Sequence, residues 1–285
     1  MKKILIVGQN SYIGCSFKKF IEYSAASEYV VTAISVRNDK WRSFNFGKFD
    51  VILHTAAIVH TTKKQKDSSI YENVNHILSV ELAKKAKDSG VRQFIFLSTM
   101  GVYGNDNKVI DIETKENPKT LYAQSKLDAE IDINKLAGET FVVSIIRIPI
   151  VYGKGCKGNY NRLSKFAKMV PVFPNTNNKR SMIYIENLSS FLKLIIDNPQ
   201  QGIFFPQNSE YVNTFFLVKA IRSSMKMKTW ELKGFNNLIY FLTKQFGCFA
   251  KVFGSFYYND SLEFINKKTY NVVDFKKSID MTEIK

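Results

Sequence analysis

The sequence predicts an α/β fold: a doubly wound parallel sheet with a smaller lobe at the C-terminal end. Over the first two-thirds of the chain, short apolar runs alternate with amphipathic stretches of helical length. The apolar runs are nearly continuous, as in parallel strands that are buried on both faces. The first run, Ile4–Val7, ends at Gly8 and leads directly into an amphipathic stretch, which is typical of a βαβ unit.

The elements of this sheet are expected in regular succession. They are a strand at Ile4–Val7, a helix at Tyr12–Tyr23, strands at Val30–Val36 and Asp50–His54, a helix at Ser68–Ser89 closed by Gly90, a strand at Gln93–Ser98, a helix at Leu121–Lys135 and a strand at Phe141–Ile146. From about Gly153 the pattern changes to loops rich in glycine, proline and asparagine. We therefore predict a first domain of residues 1–155 with a return at about 182–205, and a lobe of residues 156–181 and 206–285.

Composition excludes several classes of protein. A chain of 285 residues with 45% apolar content can bury a full core, and no low-complexity tract indicates disorder. No apolar run reaches the roughly 18–20 residues of a membrane span, and the N-terminal run is too short for a signal peptide. Three scattered cysteines form no disulfide or metal pattern. We expect a cytoplasmic protein.

The formal net charge of +16 leaves two interpretations open. The lysines are spread along the chain and form no basic DNA-reading helix, so we expect no nucleic-acid partner. In the first interpretation, they are ordinary solvated surface residues. In the second, their electrostatic field attracts a diphosphate or an acidic membrane, and the membrane would hold the protein at its inner face.

A glycine-containing loop follows the first strand and opens the first helix. Free backbone N–H groups at such a helix start can bind a pyrophosphate, and small residues allow it to approach closely. The spacing has Ser11 where a middle glycine often stands, so the loop alone is a weak signal. Its candidate cofactor-binding residues are Gly8, Asn10, Ser11, Tyr12, Ile13 and Gly14.

The end of the second strand bears on which dinucleotide is bound. An acidic residue there would accept the ribose 2′-hydroxyl and repel a 2′-phosphate. This chain has Ser35 and Arg37 there and no acid before Asp39, so NADP(H) is favoured over NAD(H). The alternative is that Arg37 is an ordinary surface residue.

Tyr122 and Lys126 are four residues apart and so share one face of the predicted helix. A tyrosine acts as an acid–base at neutral pH only when its pKa is lowered, and a nearby ammonium group stabilises the phenolate. Ser98 and Thr99 end a predicted strand at the edge where open α/β sheets bind ligands. The sequence thus predicts a catalytic group of Thr99, Tyr122 and Lys126.

Seven motifs in order carry a resemblance to a known family. They are the glycine loop, His54-Thr55-Ala56-Ala57, Asn73-Val74, Ser98-Thr99 with Val102-Tyr103-Gly104, the Tyr122/Lys126 pair, Arg147-Ile148-Pro149-Ile150-Val151-Tyr152-Gly153 and Arg180-Ser181-Met182-Ile183-Tyr184-Ile185. Over about residues 1–205 this succession resembles the NAD-dependent epimerase/dehydratase family, the extended short-chain dehydrogenases. The whole chain is similar to 4-epimerases and 4-keto reductases encoded with bacterial capsule and O-antigen synthesis.

The resemblance implies a Rossmann-type domain, a nicotinamide cofactor, and a nucleotide sugar, probably UDP-linked, bound by the C-terminal lobe. Tyr122 would be the acid–base, Lys126 its modulator and ribose ligand, and Thr99 a hydrogen-bond partner of the reacting sugar oxygen. Besides the glycine loop, the cofactor would contact Arg37, Thr55, Ala56, Ala57, Asn73, Ser98, Tyr122, Lys126 and Pro149. The substrate would contact Thr99, Met100, Asn159 and Arg180, with Arg180 on the diphosphate. The resemblance also implies a homodimer through the helices at about 68–89 and 121–136, and no metal.

The two residues that follow Thr99 indicate which reaction is catalysed. Sugar dehydratases of this family carry an Asp-Glu pair there, whereas this chain has Met100 and Gly101, which cannot transfer a proton. We therefore expect redox chemistry at the sugar C4, either 4-epimerisation or reduction of a 4-keto sugar, and no 4,6-dehydration. Arg37 and the short gap between Val36 and Asp50 favour a reductase, and the motifs at Arg147 and Arg180 favour an epimerase. A non-catalytic NADP-sensing regulator is an alternative, although it would not need Tyr122 and Lys126.

The stretch at 235–258 is rich in aromatic residues with two lysines between them. Aromatics at helical spacing indicate either core packing or a cap over the substrate. The alternative is a basic amphipathic surface in peripheral contact with a membrane.

Overall fold

The chain forms two compact units, which we describe separately. The first comprises Met1–Gly104, Lys115–Ile148 and Ser189–Phe205, and the second Asn105–Thr114, Pro149–Leu188 and Pro206–Lys285. The structure is a computed structural model that describes residues 1–59, 68–104, 108–234 and 236–284, with backbone alone at 68, 236–238, 242, 244, 248 and 251.

A six-stranded, wholly parallel sheet is the framework of the first unit. Its elements are β1 (Lys2–Val7), α1 (Tyr12–Ser24), β2 (Tyr29–Ile34), α2 (Lys40–Ser43), β3 (Val51–His54), α3 (Ser68–Tyr71), α4 (Leu78–Asp88), β4 (Gln93–Thr99), α5 (Leu121–Asn134), β6 (Val142–Ile148), and, after α7 (Ile185–Asp197), β10 (Gly202–Phe204). The strand order is β10-β6-β4-β3-β1-β2. This arrangement confirms the predicted parallel α/β fold.

Apolar side chains of the strands and helices form the core of this unit. Leu5, Ile52 and Phe94 on the sheet pack with Leu82 on α4 and Ile133 on α5, and all five are buried. Burying each such side chain contributes about 1.5–3 kcal/mol. The inner strands β1, β3, β4 and β6 are buried along most of their length because helices cover them, which is why their sequences are largely apolar. The edge strand β2 is mostly half-buried.

Two connections in this unit depart from regular crossovers. Between β2 and β3 the chain forms only the four-residue α2 and a single 3₁₀ turn at Phe46–Lys48, as the short gap in the sequence predicts. Between α3 and α4 the helix continues through a π-helical segment, Glu72–Ile77, where the Leu78 N–H donates to the Asn73 carbonyl five residues back. Such a segment holds one extra residue per turn and is frequent at functional sites.

Short parallel strand pairs and helices build the second unit. They are β5 (Val109–Ile110) with β12 (Tyr257–Tyr258), β7 (Ile150–Tyr152) with β9 (Met182–Tyr184), β8 (Val172–Pro174) with β11 (Trp230–Leu232), and the helices α6 (Asn159–Met169), α8 (Thr214–Ser224), α9 (Asn236–Gln245), α10 (Gly247–Phe253) and α11 (Phe275–Glu283). Glu283 ties α11 to α6, since its carboxylate accepts hydrogen bonds from Tyr160 at 2.8 Å and Ser164 at 2.9 Å.

The units differ from the predicted domains in three respects. The second unit begins at Pro149 rather than at residue 156, and it includes the stretch Asn105–Thr114. The return to the first unit begins at Ser189 rather than at residue 182, because β9 pairs with β7 and only β10 joins the large sheet.

The aromatic stretch at 235–258 forms α9 and α10. Tyr240, Phe241 and Phe246 are exposed, whereas Ile239 is buried, so these helices contribute both core and surface. Phe235 and the side chains of Leu238, Leu242, Lys244 and Lys251 lie outside what the structure describes. Within the described part of the chain, no helix is long and apolar enough to cross a membrane.

Candidate active site and substrate cavity

The loop between β1 and α1 has the features of a diphosphate site. Gly8 has φ +118°, and a Cβ there would lie 2.7 Å from the Ala56 nitrogen, so only glycine fits this close approach. Gly14 on α1 is equally confined, because a Cβ would lie 2.6 Å from the Ser11 hydroxyl oxygen. Within the described residues, the backbone N–H groups of Asn10 and Ile13 have no hydrogen-bond partner. The residues present therefore fit the pyrophosphate of a dinucleotide.

Ser11 stabilises the conformation of this loop at the position where a middle glycine often stands. It caps α1 by accepting a hydrogen bond from the Gly14 N–H at 3.0 Å. Its hydroxyl also lies 2.6 Å from that of Thr55, at the end of the neighbouring strand β3. Ser11 and Thr55 thus fix the loop against the sheet, and Ala56 and Ala57 follow directly.

Arg37 lies three residues after the end of β2, the strand next to β1. Its side chain is exposed, and no acidic partner is found for it in the described part of the chain. The structure therefore leaves Arg37 available for a 2′-phosphate.

Tyr122 and Lys126 lie on α5, whose N-terminus is capped by the Thr120 side chain. The Tyr122 side chain lies next to that of Thr99 at the end of β4. The structure thus brings the three predicted catalytic side chains to one sheet edge. Burial raises the pKa of Tyr122 to about 12, although the Thr99 hydroxyl acts to lower it. The expected lowering of this pKa is therefore not produced by the protein alone, since desolvation disfavours the phenolate.

Lys126 is fully buried, with its ammonium nitrogen 3.7 Å from the centroid of the Phe96 ring. Burial lowers its pKa to about 7, while the charge of Glu130 acts to raise it. Nearby, burial lowers the pKa of His54 to about 3, with the charge of Lys126 as a second cause, so this imidazole is neutral. Lys126 can consequently gain or lose its proton near neutral pH.

Sequence reasoning missed a buried ionic network beneath this group. Arg147 on β6 donates to the Glu130 carboxylate through Nη2 at 2.6 Å and Nε at 3.0 Å. It also donates to the Tyr103 hydroxyl at 2.6 Å and lies 2.7 Å from Glu116. No local pattern indicates such a network, because its members are far apart in the sequence.

Three predicted contact residues make other contacts within the protein. The Ser98 hydroxyl donates to Glu130 in the buried network. Met100 is buried in a 3₁₀ turn. Pro149 is buried and begins the second unit. Their contacts with a cofactor or a substrate stay predictions.

Two asparagines of the π-helical segment differ in burial. The side chain of Asn73, a predicted cofactor contact, is exposed, whereas Asn75 is fully buried. Asn75 bonds both backbone groups of Ile58 at 2.8 and 3.0 Å and donates to Ser125 on α5 at 3.2 Å. Asn75 thus joins the segment to α5, and the contact of Asn73 with a cofactor stays a prediction.

The second unit contains a cavity of about 560 Å³. Its wall is formed by Ile150, Asn159, Tyr160, Arg162, Leu163, Phe166, Arg180, Met182, Thr214, Leu217, Phe249, Val252 and Phe253. Two predicted substrate residues, Asn159 and Arg180, thus line one cavity. Hydrogen bonds of 2.9 Å in both directions between the backbones of Arg180 and Val212 hold Arg180 in place.

Comparison with known proteins agrees with this arrangement. The NAD dependent epimerase/dehydratase family matches residues 4–205. A UDP-glucose 4-epimerase from Vibrio cholerae is 31% identical over 258 residues, covering 81% of this chain and 78% of that protein. A dTDP-D-glucose 4,6-dehydratase from Mus musculus is 32% identical over 112 residues, covering 39% of this chain and 32% of that protein.

A second relative acts on a different kind of sugar carrier. The N-acetyl-alpha-D-glucosaminyl-diphospho-ditrans,octacis-undecaprenol 4-epimerase of Escherichia coli O157:H7 is 29% identical over 170 residues, covering 56% of this chain and about half (51%) of that protein. Among solved structures, the UDP-glucuronic acid 4-epimerase from Bacillus cereus in complex with NAD superposes with a TM-score of 0.74. At 16% identity, covering 99% of this chain and 97% of that one, it supports the fold.

Proposed function

Because this chain belongs to the NAD dependent epimerase/dehydratase family, we propose that it is a 4-epimerase of diphosphate-linked sugars with a nicotinamide cofactor. The observation that carries the proposal is the proximity of Tyr122 to Thr99, with Lys126 one helical turn further along α5. This geometry suits proton transfer to or from a sugar hydroxyl. The names of the two 4-epimerase relatives support a hexose joined to a diphosphate, with UDP-hexoses as the first candidates.

In the proposed mechanism, Tyr122 takes the proton from the C4 hydroxyl and later returns it. The nicotinamide, when bound, supplies the acceptor and donor of the C4 hydride. Thr99 orients the same sugar oxygen through its hydroxyl. Lys126 provides positive charge near the phenol when protonated, which favours the phenolate. Arg180 holds the diphosphate through its forked N–H groups.

Removal of water from the sugar is not part of this proposal. At the two positions after Thr99, Met100 offers only a thioether and Gly101 has no side chain. Neither group can act as the acid or the base that elimination requires. This supports redox chemistry at C4 over 4,6-dehydration.

A second candidate is a 4-keto-sugar reductase that uses NADPH. Exposed Arg37 suits the 2′-phosphate of NADP(H), which is the cofactor we propose. A dissociable NADPH would serve a reductase, whereas an epimerase recycles its bound cofactor. The remaining alternative is a regulator that binds NADP(H) without turnover. Such a protein would bind the cofactor and form no sugar product.

We propose a homodimer and a role in bacterial surface polysaccharide synthesis in the cytoplasm. Ile77 and Ile131, together with Ile70 and Leu121, are exposed apolar side chains on or beside the helices expected to pair. Covering such side chains stabilises association. Light scattering should then give twice the chain mass of 32.8 kDa.

One experiment separates the enzymatic candidates. The purified protein is denatured to identify any co-purified cofactor by mass spectrometry. The native protein is then incubated with UDP-glucose, UDP-galactose and their N-acetylated analogues, and separately with a UDP-4-keto-6-deoxy sugar, with and without NADPH. Interconversion of C4 epimers without net cofactor consumption supports the epimerase. NADPH oxidation that matches reduction of a 4-keto sugar supports the reductase. Absence of both products, with the cofactor bound, would contradict an enzymatic role.

A further inference from the structure

We infer that the cavity of the second unit accepts a polyprenyl diphosphate as the carrier of the sugar, in preference to a nucleoside diphosphate. The inference rests on the proposed function and names the carrier that this site selects. It depends on four observations: the apolar character of the cavity wall, the buried charge of Arg180, a row of aromatic rings, and the positive charge of the surrounding segments.

The cavity wall offers few polar groups to recognise a base. Most of its side chains are apolar, among them Leu163, Met182 and Leu217. Besides two arginines, its polar side chains are Asn159, Tyr160 and Thr214. The Tyr160 hydroxyl already donates to Glu283 at 2.8 Å, and the Thr214 hydroxyl donates to the Val252 carbonyl at 2.7 Å. A uracil and a ribose carry several polar groups, and burying them without partners is costly. An isoprenoid chain carries none.

Arg180 is a buried cation suited to an anion in this cavity. Burial lowers the pKa of its guanidinium to about 10, which leaves it charged at neutral pH. One N–H donates to the Gly254 carbonyl at 3.1 Å, and no acidic side chain in the described part of the chain lies within ion-pair distance. A desolvated charge without a counter-ion is unfavourable, so a bound diphosphate would stabilise it.

A row of aromatic rings leads from the cavity to the surface at both ends. Phe249 and Phe253 line the cavity and lie 6.0 Å apart between centroids. At one end, the centroid of the Phe246 ring lies 6.3 Å from that of Phe249. At the other end, the Phe173 ring lies 5.4 Å from that of Phe253 and 6.3 Å from that of Phe166. The terminal rings, Phe246 and Phe166, are 51% and 48% exposed. Exposed apolar rings at and beside the cavity suit an apolar chain that extends beyond it.

The segments that form the cavity are strongly basic. Residues 149–185 contain seven lysine and arginine residues and no acidic residue. Residues 211–258 contain seven lysine and arginine residues, with Glu231 as their single acid. Much of the net charge of +16 therefore belongs to these two segments rather than being spread evenly. Such a field attracts anionic membrane surfaces, where polyprenyl diphosphates reside.

The test compares two carriers of the same sugar. N-acetylglucosamine and glucose are each supplied as the UDP derivative and as the farnesyl diphosphate derivative, with the native enzyme and its cofactor. We expect kcat/KM for C4 epimerisation to be at least tenfold higher with the farnesyl carrier. A preference for UDP, or equal rates, would overturn the inference and leave the proposed function standing. If neither carrier supports reaction, the proposed function fails and the inference fails with it.

A variant checks that the cavity sets the preference. In Phe249→Gln, a polar side chain replaces a ring of the cavity wall, so the ratio of kcat/KM for the farnesyl over the UDP substrate should fall at least tenfold. The matched control is Phe241→Gln, an exposed phenylalanine of α9 that does not line the cavity, and its ratio should equal that of the unaltered protein. An unchanged ratio in folded Phe249→Gln protein would contradict the proposed placement of the lipid. Circular dichroism confirms folding in both variants.

Discussion

Arg147 holds Glu130 through two nitrogens inside the first unit, and both side chains are almost fully buried. Glu130 lies one helical turn after Lys126 on α5, so the ion pair fixes the helix that carries the catalytic tyrosine. Because its oxygens are already engaged by Arg147 and Ser98, Glu130 raises the pKa of Lys126 by charge without forming an ion pair with it.

Glu130→Gln should destabilise the protein by about 3 kcal/mol or more, because it leaves the buried Arg147 guanidinium without its main counter-charge. Urea unfolding measures the free energy of unfolding. Glu139→Gln is the control, since Glu139 is exposed, and its effect should stay within about 0.5 kcal/mol. Equal stabilities of the two variants would contradict the importance of the buried pair.

Tyr122→Phe should lower kcat by roughly 10²–10⁴-fold while leaving the fold intact, because the ring is kept and only the acid–base hydroxyl is lost. Turnover of the identified substrate and cofactor binding are measured together. Tyr23→Phe, at an exposed tyrosine of α1, serves as control and should retain full activity. Retention of activity by Tyr122→Phe would remove this tyrosine from the mechanism.

Lys126→Met should change how stability depends on pH. The pKa of Lys126 is lowered from 10.5 to about 7 on folding, so between these values the unfolded chain binds more protons. Stability of the unaltered protein should therefore rise with pH in this window, by up to about 1.4 kcal/mol per pH unit from this group. Denaturation from pH 7 to 10 should show a shallower slope in Lys126→Met. Identical slopes would mean that Lys126 has an ordinary pKa.

His76 should contribute to the pH dependence of stability with the opposite sign to Lys126. Burial acts to lower its pKa, but hydrogen bonds to Asp132 and Glu72, at 2.8 and 2.7 Å, together raise it. A raised pKa adds stability that is present below about pH 6.5 and is lost as the pH rises through the folded value. His76→Gln should therefore cost more stability at pH 6 than at pH 8. The loss stays under about 1 kcal/mol, because both carboxylates are partly exposed. Melting temperatures at the two pH values provide the comparison. An equal loss of stability at both would contradict the raised pKa of His76.

Arg180→Lys should raise KM at least tenfold while changing kcat much less. The lysine keeps the charge but loses the planar fork that binds a diphosphate through two N–H groups. Steady-state kinetics with UDP and farnesyl diphosphate substrates measure the effect. Arg162→Lys, an exposed arginine on the same cavity wall, is the comparison and should have a smaller effect. A KM unchanged in Arg180→Lys would exclude a bidentate contact with the substrate.

Local patterns of the sequence were sufficient to predict the sheet and the candidate residues of the first unit. Alternating apolar strands and amphipathic helices are short-range signals, so β1, β2, β3, β4 and β6 were predicted within a few residues, whereas the two-residue β5 was not. The Tyr122/Lys126 spacing and the loop from Gly8 to Gly14 are equally local. Arg180 and Asn159 were assigned through resemblance, and the structure places both in one cavity.

Properties that depend on the folded environment could not be predicted in this way. The pKa of Tyr122 was expected to be lowered, yet burial raises it, because desolvation depends on neighbours from several elements. The Glu130–Arg147 pair joins a helix and a strand that no spacing rule connects. The contacts of Asn75 with Ile58 and Ser125 were not predicted, because they depend on the π-helical geometry of Glu72–Ile77, which no local pattern reveals.

That segment fixes how the two helical stretches that flank it are rotated relative to each other. A π-helix turns roughly 82° per residue and an α-helix about 100°, so the six residues Glu72–Ile77 turn about a third of a revolution less than six α-helical residues would. Substitutions that made the segment a regular α-helix at constant length would therefore turn α3 by that amount relative to α4. Asn75 would lose its alignment with Ile58 and Ser125. Engineering a regular helix here would thus disconnect it from α5, unless one residue were removed at the same time to restore the rotation.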